Sequence, residues 1–387
     1  MPVIPQQVNK PFLYLGIMSG TSADGIDLAL VDFRQPSPLL VAKYYQTYDE
    51  ETHHNITSLY LPAANEIERA FSLDINLAQQ FSNAIDKFLQ QQKLTPKDII
   101  AIGNHGQTIR HRPALATKEN KTPFTLQIGC NQTLATLTNI KVIGDFRRKD
   151  MALGGQGAPL VPAFHQALFP CNENNTFVVN IGGISNITFL PGTNSNQTVL
   201  GFDTGPGNAL MDDWFQQHHQ HGRFDKGGAW AAKGTIHSAL LAHFLNDSYF
   251  TLPPPKSTGR EIYHIDWLFK KLTHFTVSPV DVQATLAAFT VQTIANDINR
   301  ISPSLPHKGK IYLCGGGVLN THLCQLLSEQ LPQFIITDTH QENIDSDALE
   351  AMAFAWFAFA YDNNITGNIP AVTGARKKAV LGACYNP

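Results

Sequence analysis

The regular pattern of the chain begins with an apolar segment, Phe12 to Met18, which stops at the small polar residues Ser19 to Ser22. A second apolar segment, Ile26 to Phe33, follows Asp24-Gly25. Short apolar runs bounded by Gly, Ser, Thr and Asp are typical of buried strands joined by a turn. The pattern therefore predicts a strand hairpin with a polar turn, and Leu39 to Tyr45 adds a third predicted strand.

The same order of elements starts again in the middle of the chain. The apolar run Thr176 to Ile181 stops at Gly182-Gly183, Ile184 to Leu190 alternates as a strand does, and Val199 to Phe202 predicts a third strand. Helical patterns follow each triplet of strands. The two halves share little sequence, so the duplication rests on element order, and it predicts two related α/β domains.

Helical periodicity accounts for much of the remaining chain. Four apolar residues lie on one face of a predicted helix: Leu77, Phe81, Ile85 and Phe88. The segment Asp347 to Tyr361 is apolar nearly all round, which predicts a buried helix. Short strands are predicted at Ile99 to Gly103, ending in a polar turn at Asn104 to Thr108, and at Ile311 to Cys314.

Composition then limits the class of protein. The 387 residues are 43% hydrophobic and 15% charged, with a formal net charge of −3, which is typical of a globular chain of about two domains. Such a charge gives no broad footprint for nucleic acid or an anionic membrane. The longest apolar run, Ala351 to Tyr361, is too short to span a bilayer.

Two further features predict a soluble cytoplasmic protein. The first residues, Met1 to Gln7, lack the charged-then-apolar pattern of a secretion signal. The five cysteines are scattered without a C-x-x-C pair, so we expect free thiols and no metal framework built on cysteine.

The turn of the first hairpin has the chemistry of a phosphate site. Glycines between Gly20 and Asp27 let the backbone approach an anion, and the hydroxyls of Thr21 and Ser22 can bind phosphate oxygens. Asp24 and Asp27 offer the hard oxygen ligands that Mg²⁺ prefers, usually through water. The Gly-Lys-Ser/Thr ending of a Walker A loop is absent. A plain hairpin turn remains the alternative, and the density of small polar residues favours phosphate binding.

Two other glycine turns follow predicted strands. Gly182-Gly183 is the matching turn of the second half, and two facing hairpins could bind opposite sides of one polyphosphate. Gly315 to Gly317 would let a flat ligand lie against the backbone. Each turn alone is a weak signal, and the last one lacks the spacing of a dinucleotide fingerprint.

A candidate base lies at the end of the third strand of the second triplet. Asp203 precedes the rigid turn Gly205-Pro206-Gly207, and a carboxylate at a strand end over a glycine turn is well placed to accept a proton. An Asp that only hydrogen-bonds the turn is the alternative. Asp212 and Asp213 are predicted to lie on a solvated helix.

Two segments of the first half could bind an anionic or polar ligand. Arg147 belongs to a short basic cluster that precedes the glycine loop Gly154 to Pro159, although solvated surface charge explains such a cluster equally well. His105 follows a predicted strand and could contact the ligand. The other histidines show no metal-binding spacing.

Taken together, these strings resemble the anhydro-N-acetylmuramic acid kinases, within the superfamily of actin, sugar kinases and heat-shock ATPases. The resemblance runs from about Tyr14 to Gly382 and rests on six strings in order: Met18 to Asp27, His105 to Thr108, Gly144 to Arg147, Gly154 to Pro159, Asn180 to Asn186 and Phe202 to Asn208. It implies a two-domain actin-like ATPase fold of duplicated ribonuclease-H-like domains with an interdomain cleft. Residues 1–145, completed by 345–387, would form the first domain, and residues 146–344 the second.

The resemblance also implies an activity. An enzyme of this family would use ATP and Mg²⁺ to open the 1,6-anhydro bridge of 1,6-anhydro-N-acetylmuramic acid while phosphorylating oxygen 6, in peptidoglycan recycling, and would act as a homodimer. Asp203 would be the base and Asp24 would hold Mg²⁺ through water. The cofactor-binding residues would be Gly20, Thr21, Ser22, Ala23, Asp24, Gly25, Ile26, Asp27, Gly182, Gly183, Gly315, Gly316 and Gly317. The substrate-binding residues would be His105, Gln107, Arg147, Gln156, Asn186 and Glu350.

Two other functions remain open on the residues alone. An ordinary sugar kinase of the same fold would also need one aspartate base, so the motifs do not exclude it. A non-catalytic nucleotide-driven switch would use the same phosphate hairpins, although it has no need for the loops that carry Arg147 and Gln156.

Overall fold

Two units make up the chain, as a computed structural model shows. The first comprises residues Met1–Pro170 and Ala348–Pro387, and the second comprises Cys171–Asp347. The structure describes residues 12–114, 122–169, 173–260, 262–302, 309–339 and 344–387. Cys171 and the N-terminal residues that bear on a secretion signal lie outside the described residues.

The first unit is built on a seven-stranded sheet. Its strands are β1 Leu13–Ser19, β2 Gly25–Asp32, β3 Leu39–Thr47, β4 Ile99–Arg112, β5 Phe124–Ile128, β6 Val142–Gly144 and, from the C-terminal segment, β12 Ala383–Tyr385. The order is β12-β6-β4-β1-β2-β3, with β5 paired to β4. Strands β1 to β3 are antiparallel, whereas β1, β4 and β6 are parallel.

The second unit repeats this arrangement with five strands. They are β7 Thr176–Ile181, β8 Ile184–Leu190, β9 Leu200–Pro206, β10 Lys310–Cys314 and β11 Ile335–Asp338. Their order is β11-β10-β7-β8-β9, with β7 to β9 antiparallel and β7, β10 and β11 parallel. Both units therefore join an antiparallel triplet to parallel strands in the same order, which confirms the predicted duplication and α/β class.

Helices cover the two sheets. Those of the first unit are α1 Glu50–Thr57, α2 Glu66–Gln92, α3 Asn131–Thr138, α4 Phe146–Ala152, α5 Val161–Leu168, α11 Leu349–Asp362 and α12 Pro370–Thr373. Those of the second are α6 Ala209–His218, α7 Ser238–Leu245, α8 Ile265–Leu272, α9 Pro279–Ile301 and α10 Thr321–Gln330. Within the described residues, no helix combines the length and apolarity that crossing a bilayer requires.

The core of the first unit follows from the predicted apolar positions. The helix face Leu77, Phe81, Ile85 and Phe88 is fully buried. Helix α11 packs on β1 and β4 as closely as backbones allow, because Gly16 and Gly103 lie side by side in those strands. A Cβ on Gly103 would overlap the carbonyl oxygen of Phe354 in α11.

Two predicted boundaries differ from the structure. Residues 146–170, which the sequence assigns to the second domain, pack in the first unit. Asp150 of α4 explains this, because its Oδ1 accepts hydrogen bonds from Asn368 Nδ2 at 2.8 Å and from Thr373 Oγ1 at 2.7 Å. These bonds attach α4 to the C-terminal segment of the same unit.

The second difference concerns β4, which does not end at Gly103. The polar residues Asn104 to Thr108 were predicted to form a turn, yet they continue the strand. They stay in the sheet because β4 pairs onward with β5, with Gln107 opposite Ile128. Gly106, with φ of +72°, takes the left-handed conformation within this polar stretch.

Candidate active site

The turn between β1 and β2 presents small polar groups to solvent. Thr21, Ser22 and Asp24 are exposed, whereas Ala23 is buried and left-handed with φ of +56°. The Ala23 amide donates to Gly20 O at 3.1 Å, which closes the turn. The hydroxyls and the Asp24 carboxylate are thus on the accessible side, as a phosphate-binding hairpin requires.

A buried glutamine supports this hairpin from below. Gln107 Oε1 accepts a hydrogen bond from Ser19 Oγ at 2.6 Å, and its Nε2 donates to Gly20 O at 3.0 Å. Tyr60 adds a bond from its hydroxyl to Thr21 O at 2.7 Å. Gln107, which was expected to contact the sugar, is fully buried, and its described contacts place it in support of the hairpin.

The two carboxylates of the hairpin act on neighbouring tyrosines. Burial, followed by the charges of Asp24 and Asp27, raises the pKa of Tyr45. Burial and the charge of Asp24 raise the pKa of Tyr60 to about 12. Within the described chain, no three His, Cys, Asp or Glu side chains converge as a metal-binding group. A cation beside Asp24 would therefore take its other ligands from water and phosphate, which suits Mg²⁺.

Arg147 and His105 form a buried pair in the same unit. His105 Nε2 accepts from Arg147 Nε at 3.1 Å and Nη2 at 2.9 Å, while its Nδ1 donates to Gly106 O at 2.7 Å. Burial, reinforced by the charge of Arg147, lowers the pKa of His105 to about 3. The imidazole is therefore neutral, and it aligns the guanidinium rather than carrying a charge of its own.

The other predicted sugar contacts of this unit are Gln156 and Glu350, and Arg147 interacts with the loop of the first and with the charge of the second. Its Nη1 donates to Gly157 O at 2.9 Å, in the loop that contains Gln156. Asp150 Oδ2 accepts from the Gly157 amide at 2.9 Å and holds that loop. Burial lowers the pKa of Arg147 to about 10, and the negative charge of Glu350 acts in the opposite direction. Glu350 is exposed and lies in the first turn of α11.

In the second unit, the glycine hairpin also caps a helix. The Gly183 carbonyl accepts from the Gly207 amide at 2.9 Å, and the Gly182 carbonyl accepts from Asn208 at 2.7 Å. These bonds dock the start of α6 against the hairpin. Gly183 is exposed, so its backbone is accessible to a ligand.

The three glycines after β10 have different reasons to be glycine. Gly315 is left-handed, with φ of +79°, and a Cβ there would overlap Asn180 Oδ1. A Cβ on Gly317 would meet the side chain of Ile181, so both positions are fixed by packing on β7. Gly316 is exposed, and the nearest group to a Cβ there is Asn208 Nδ2 at 3.7 Å. Of the three, Gly316 presents open backbone surface.

Asp203 belongs to a row of polar side chains across three strands. In register, Asn180 of β7 lies opposite Asn186 of β8, and Asn186 lies opposite Asp203 of β9. Residues directly opposite each other share a face of the sheet. The row lies near the carboxyl end of β7, whose parallel neighbour β10 leads into Gly315 to Gly317. Ligands of open α/β sheets bind at such strand ends.

The environment of Asp203 includes residues that the sequence did not identify. Its Oδ2 accepts hydrogen bonds from Ser257 Oγ at 2.9 Å and from the Thr258 amide at 3.0 Å. Both donors lie in the segment of residues 253–259, and nothing in its composition indicates which strand it contacts.

Asp212, in the first turn of α6, also departs from the prediction of a solvated helix face. It is half-buried, and burial together with the charge of Asp213 raises its pKa to about 7. Asp213 is half-buried as well and pairs with Arg260 Nη2 at 2.8 Å.

Comparison with known proteins shows the family of the chain. The family model for anhydro-N-acetylmuramic acid kinase matches residues 12–387. The anhydro-N-acetylmuramic acid kinase of Colwellia psychrerythraea is 57% identical over 97% of this chain and 97% of its own length. That of Shewanella sediminis is 46% identical over 96% of this chain and 98% of its own.

That of Saccharophagus degradans is likewise 46% identical, over 98% of this chain and 100% of its own length. A solved ROK family glucokinase from Streptomyces griseus is 10% identical and covers 89% of this chain and 97% of its own, with a TM-score of 0.37, too loose a likeness to locate any residue.

The family model and the full-length relatives define the class of this protein: it is a kinase, built from two α/β units that repeat one sheet order. Within that class, the chain belongs to the anhydro-N-acetylmuramic acid kinase family.

Proposed function

We propose that the chain uses ATP and Mg²⁺ to convert 1,6-anhydro-N-acetylmuramic acid and water into N-acetylmuramic acid 6-phosphate and ADP, a step of peptidoglycan recycling and amino-sugar catabolism. The observation that carries the proposal is the placement of Asp203 in the polar row beside the glycine turns. Membership in the family supports the choice of substrate.

Asp203 acts as the base of this reaction. Water attacks the anomeric carbon and gives a proton to the Asp203 carboxylate, the bond from that carbon to oxygen 6 breaks, and oxygen 6 takes the γ-phosphoryl group of ATP. An ordinary glycosidase needs a second carboxyl group to protonate the leaving oxygen. Here phosphorus captures that oxygen, so one carboxylate suffices. Asn186, which lies opposite Asp203 in register, binds the sugar or the attacking water.

The residues around Arg147 bind the sugar. The guanidinium, aligned by His105 and by Gly157 O, pairs with the carboxylate of the muramic acid. Gln156 and Glu350 bind the hydroxyl and amide groups. Because His105 and Gly157 fix the guanidinium before the sugar arrives, little side-chain entropy is lost on binding.

The glycine turns bind the nucleotide. Gly20 to Asp27 hold the β- and γ-phosphates, Gly182 and Gly183 approach the same phosphates, and the turn of Gly316 faces the adenosine. Asp24 would hold Mg²⁺ through water, which would supply neutralisation of the charge on the phosphoryl group. Gln107 keeps the first hairpin in place during this step.

The test is ADP release in ¹⁸O-labelled water, with and without the anhydro sugar. We expect sugar-dependent ADP and label at the anomeric carbon of the product. Sugar phosphate without label would show an ordinary sugar kinase, and ADP release indifferent to the sugar would show a nucleotide switch. Asp203→Asn should bind ATP with unchanged affinity and lose at least about 10³-fold in kcat. Unchanged sugar turnover in that variant would overturn the assignment of the base.

We further propose that the enzyme is a cytoplasmic homodimer. The family resemblance supports the dimer, and the need for ATP supports the compartment. Cys130, Cys324 and Cys384 are free thiols, as a reducing compartment favours. Sedimentation equilibrium of the purified protein would measure the first property, and fractionation of cells would measure the second.

A further inference from the structure

Residues 256–258 contact both the backbone and the carboxylate of Asp203. The Asp203 amide donates to Lys256 O at 3.2 Å, while its Oδ2 accepts from Ser257 Oγ at 2.9 Å and from the Thr258 amide at 3.0 Å. Tyr249 adds a bond from its hydroxyl to Asp203 O at 2.6 Å. The carboxylate is thus oriented by a segment that lies far from β9 in sequence.

This segment is anchored by a buried ion pair. The Lys256 side chain is 2% exposed, and its Nζ lies 2.9 Å from Asp297 Oδ2 of α9, whose side chain is 4% exposed. The same Nζ lies 5.0 Å from the ring centre of Tyr249 and 5.6 Å from that of Phe202. Phe202 precedes Asp203 in β9, so the lysine links the base, its supporting segment and α9.

Stability alone does not explain this lysine. Removing two charges from water costs several kcal/mol per ion, and apolar side chains of similar size often stabilise such a position equally well. An ion pair differs from apolar packing in that it fixes geometry at a defined point. The ion pair fixes Lys256, whose carbonyl oxygen accepts a hydrogen bond from the Asp203 amide.

We propose that Lys256, Ser257 and Thr258 are positioning residues for Asp203, with Lys256 fixing the segment to α9 and Ser257 and Thr258 setting the orientation of the carboxylate. The proposal rests on the function of Asp203 proposed above. These three residues do not take part in the chemical step; they act through the Asp203 carboxylate, which they orient.

The hydrogen bonds to the Asp203 carboxylate also affect the pH dependence of kcat. Hydrogen bonds to an ionised carboxylate favour the charged form and lower its pKa. Loss of the Ser257 donor therefore raises the pKa of Asp203, and the acid limb of the kcat profile moves to higher pH. The charged and titratable groups that face Asp203 include Lys256 and Tyr249, both of which the variants at Ser257 leave intact.

The experiment compares Ser257→Ala with two matched variants. Ser257→Thr keeps the hydroxyl at an exposed position, and Thr251→Ala removes an exposed hydroxyl that donates to Ser248 O in the same region. We expect Ser257→Ala to lower kcat about tenfold and to move the acid limb upward by about one pH unit, with KM for ATP unchanged. Ser257→Thr should restore the profile, and Thr251→Ala should match the unaltered enzyme.

The double variant Lys256→Met with Asp297→Asn tests the anchor. It removes both charges together and leaves no unpaired buried ion. We expect a folded protein, by thermal unfolding, with kcat lowered and KM for ATP unchanged; an unchanged kcat would contradict the anchoring role of the ion pair.

The outcomes separate the two proposals. An unshifted profile in Ser257→Ala, with Asp203→Asn inactive, overturns the positioning role and leaves the base in place. Sugar turnover by Asp203→Asn instead overturns the base, and with it the proposed mechanism.

Discussion

The state of a single imidazole illustrates how burial decides chemistry at the residue scale. The His105 ring is neutral because burial and the charge of Arg147 lower its pKa. Its Nε2 is therefore an acceptor, and the Arg147 guanidinium keeps its full charge for an anionic ligand. Had the ring been protonated, the two cations would repel and the arrangement would open.

The buried, neutral His105 ring makes the stability of the protein depend on pH. The pKa of His105 is about 3 in the folded protein and about 6.5 when unfolded, so the unfolded state binds more protons between these values. The contribution of the neutral ring is complete above pH 6.5 and decreases as the pH falls toward 3. From pH 7 to pH 5 we expect a loss of about 2 kcal/mol from this ring.

Urea unfolding at pH 7 and at pH 5 measures this loss of stability. His105→Gln keeps an acceptor that does not titrate, so its free energy of unfolding should fall by about 2 kcal/mol less than that of the unaltered protein. His53→Gln, at an exposed position, serves as the control and should behave like the unaltered protein. Equal losses in all three proteins would contradict the neutral state of His105.

At the scale of elements, the closest packing is that of α11 on the first sheet. Gly103→Ala places a Cβ against the Phe354 carbonyl, a backbone atom that cannot move without shifting the helix. We expect a loss of about 1–3 kcal/mol in the free energy of unfolding. Gly20→Ala is the matched control, because the nearest atom to its Cβ is Ser22 Oγ at 3.7 Å, an ordinary contact. Similar stabilities for both variants would show that α11 has room to adjust.

The elements that the sequence predicted well are those whose pattern is local. Strands β7 and β8 have the bounds of the two apolar runs in the sequence, because Gly182-Gly183 separates the runs. Strand β4 was predicted too short, since its buried polar residues are satisfied by hydrogen bonds that only the folded sheet supplies. Asn104 Nδ2, for example, donates to Gly129 O at 3.0 Å.

In the candidate site as well, features with a local pattern could be predicted from the sequence, and contacts between distant residues could not. Glycine turns and a strand-end aspartate are visible in sequence because local backbone geometry demands those residue types. The support of Asp203 by Ser257 is not visible, because it joins residues 54 positions apart through one hydrogen bond. Gln107 was visible as a motif residue, yet its packing beneath the hairpin could be read only from the folded chain.

At the scale of the whole molecule, the proposed nucleotide contacts are distributed over both units. The hairpin of Gly20 to Asp27 belongs to the first unit, whereas Gly182-Gly183 and Gly316 belong to the second. If all three bind one ATP, its presence must protect backbone amides in both units, since local opening would break contacts to the ligand. Amide hydrogen exchange with ATP and Mg²⁺ should therefore slow at all three turns.

Asp24→Asn separates the contribution of the first hairpin to nucleotide binding from that of the second unit. It weakens the hold on Mg²⁺ without altering the second unit, so protection by ATP should decrease at the first hairpin and persist at Gly316. A bound nucleotide that protects only the second unit in the unaltered protein would remove the first hairpin from the phosphate site. Protection at both units that Asp24→Asn leaves unchanged would remove Asp24 from the magnesium site while keeping the hairpin in its role.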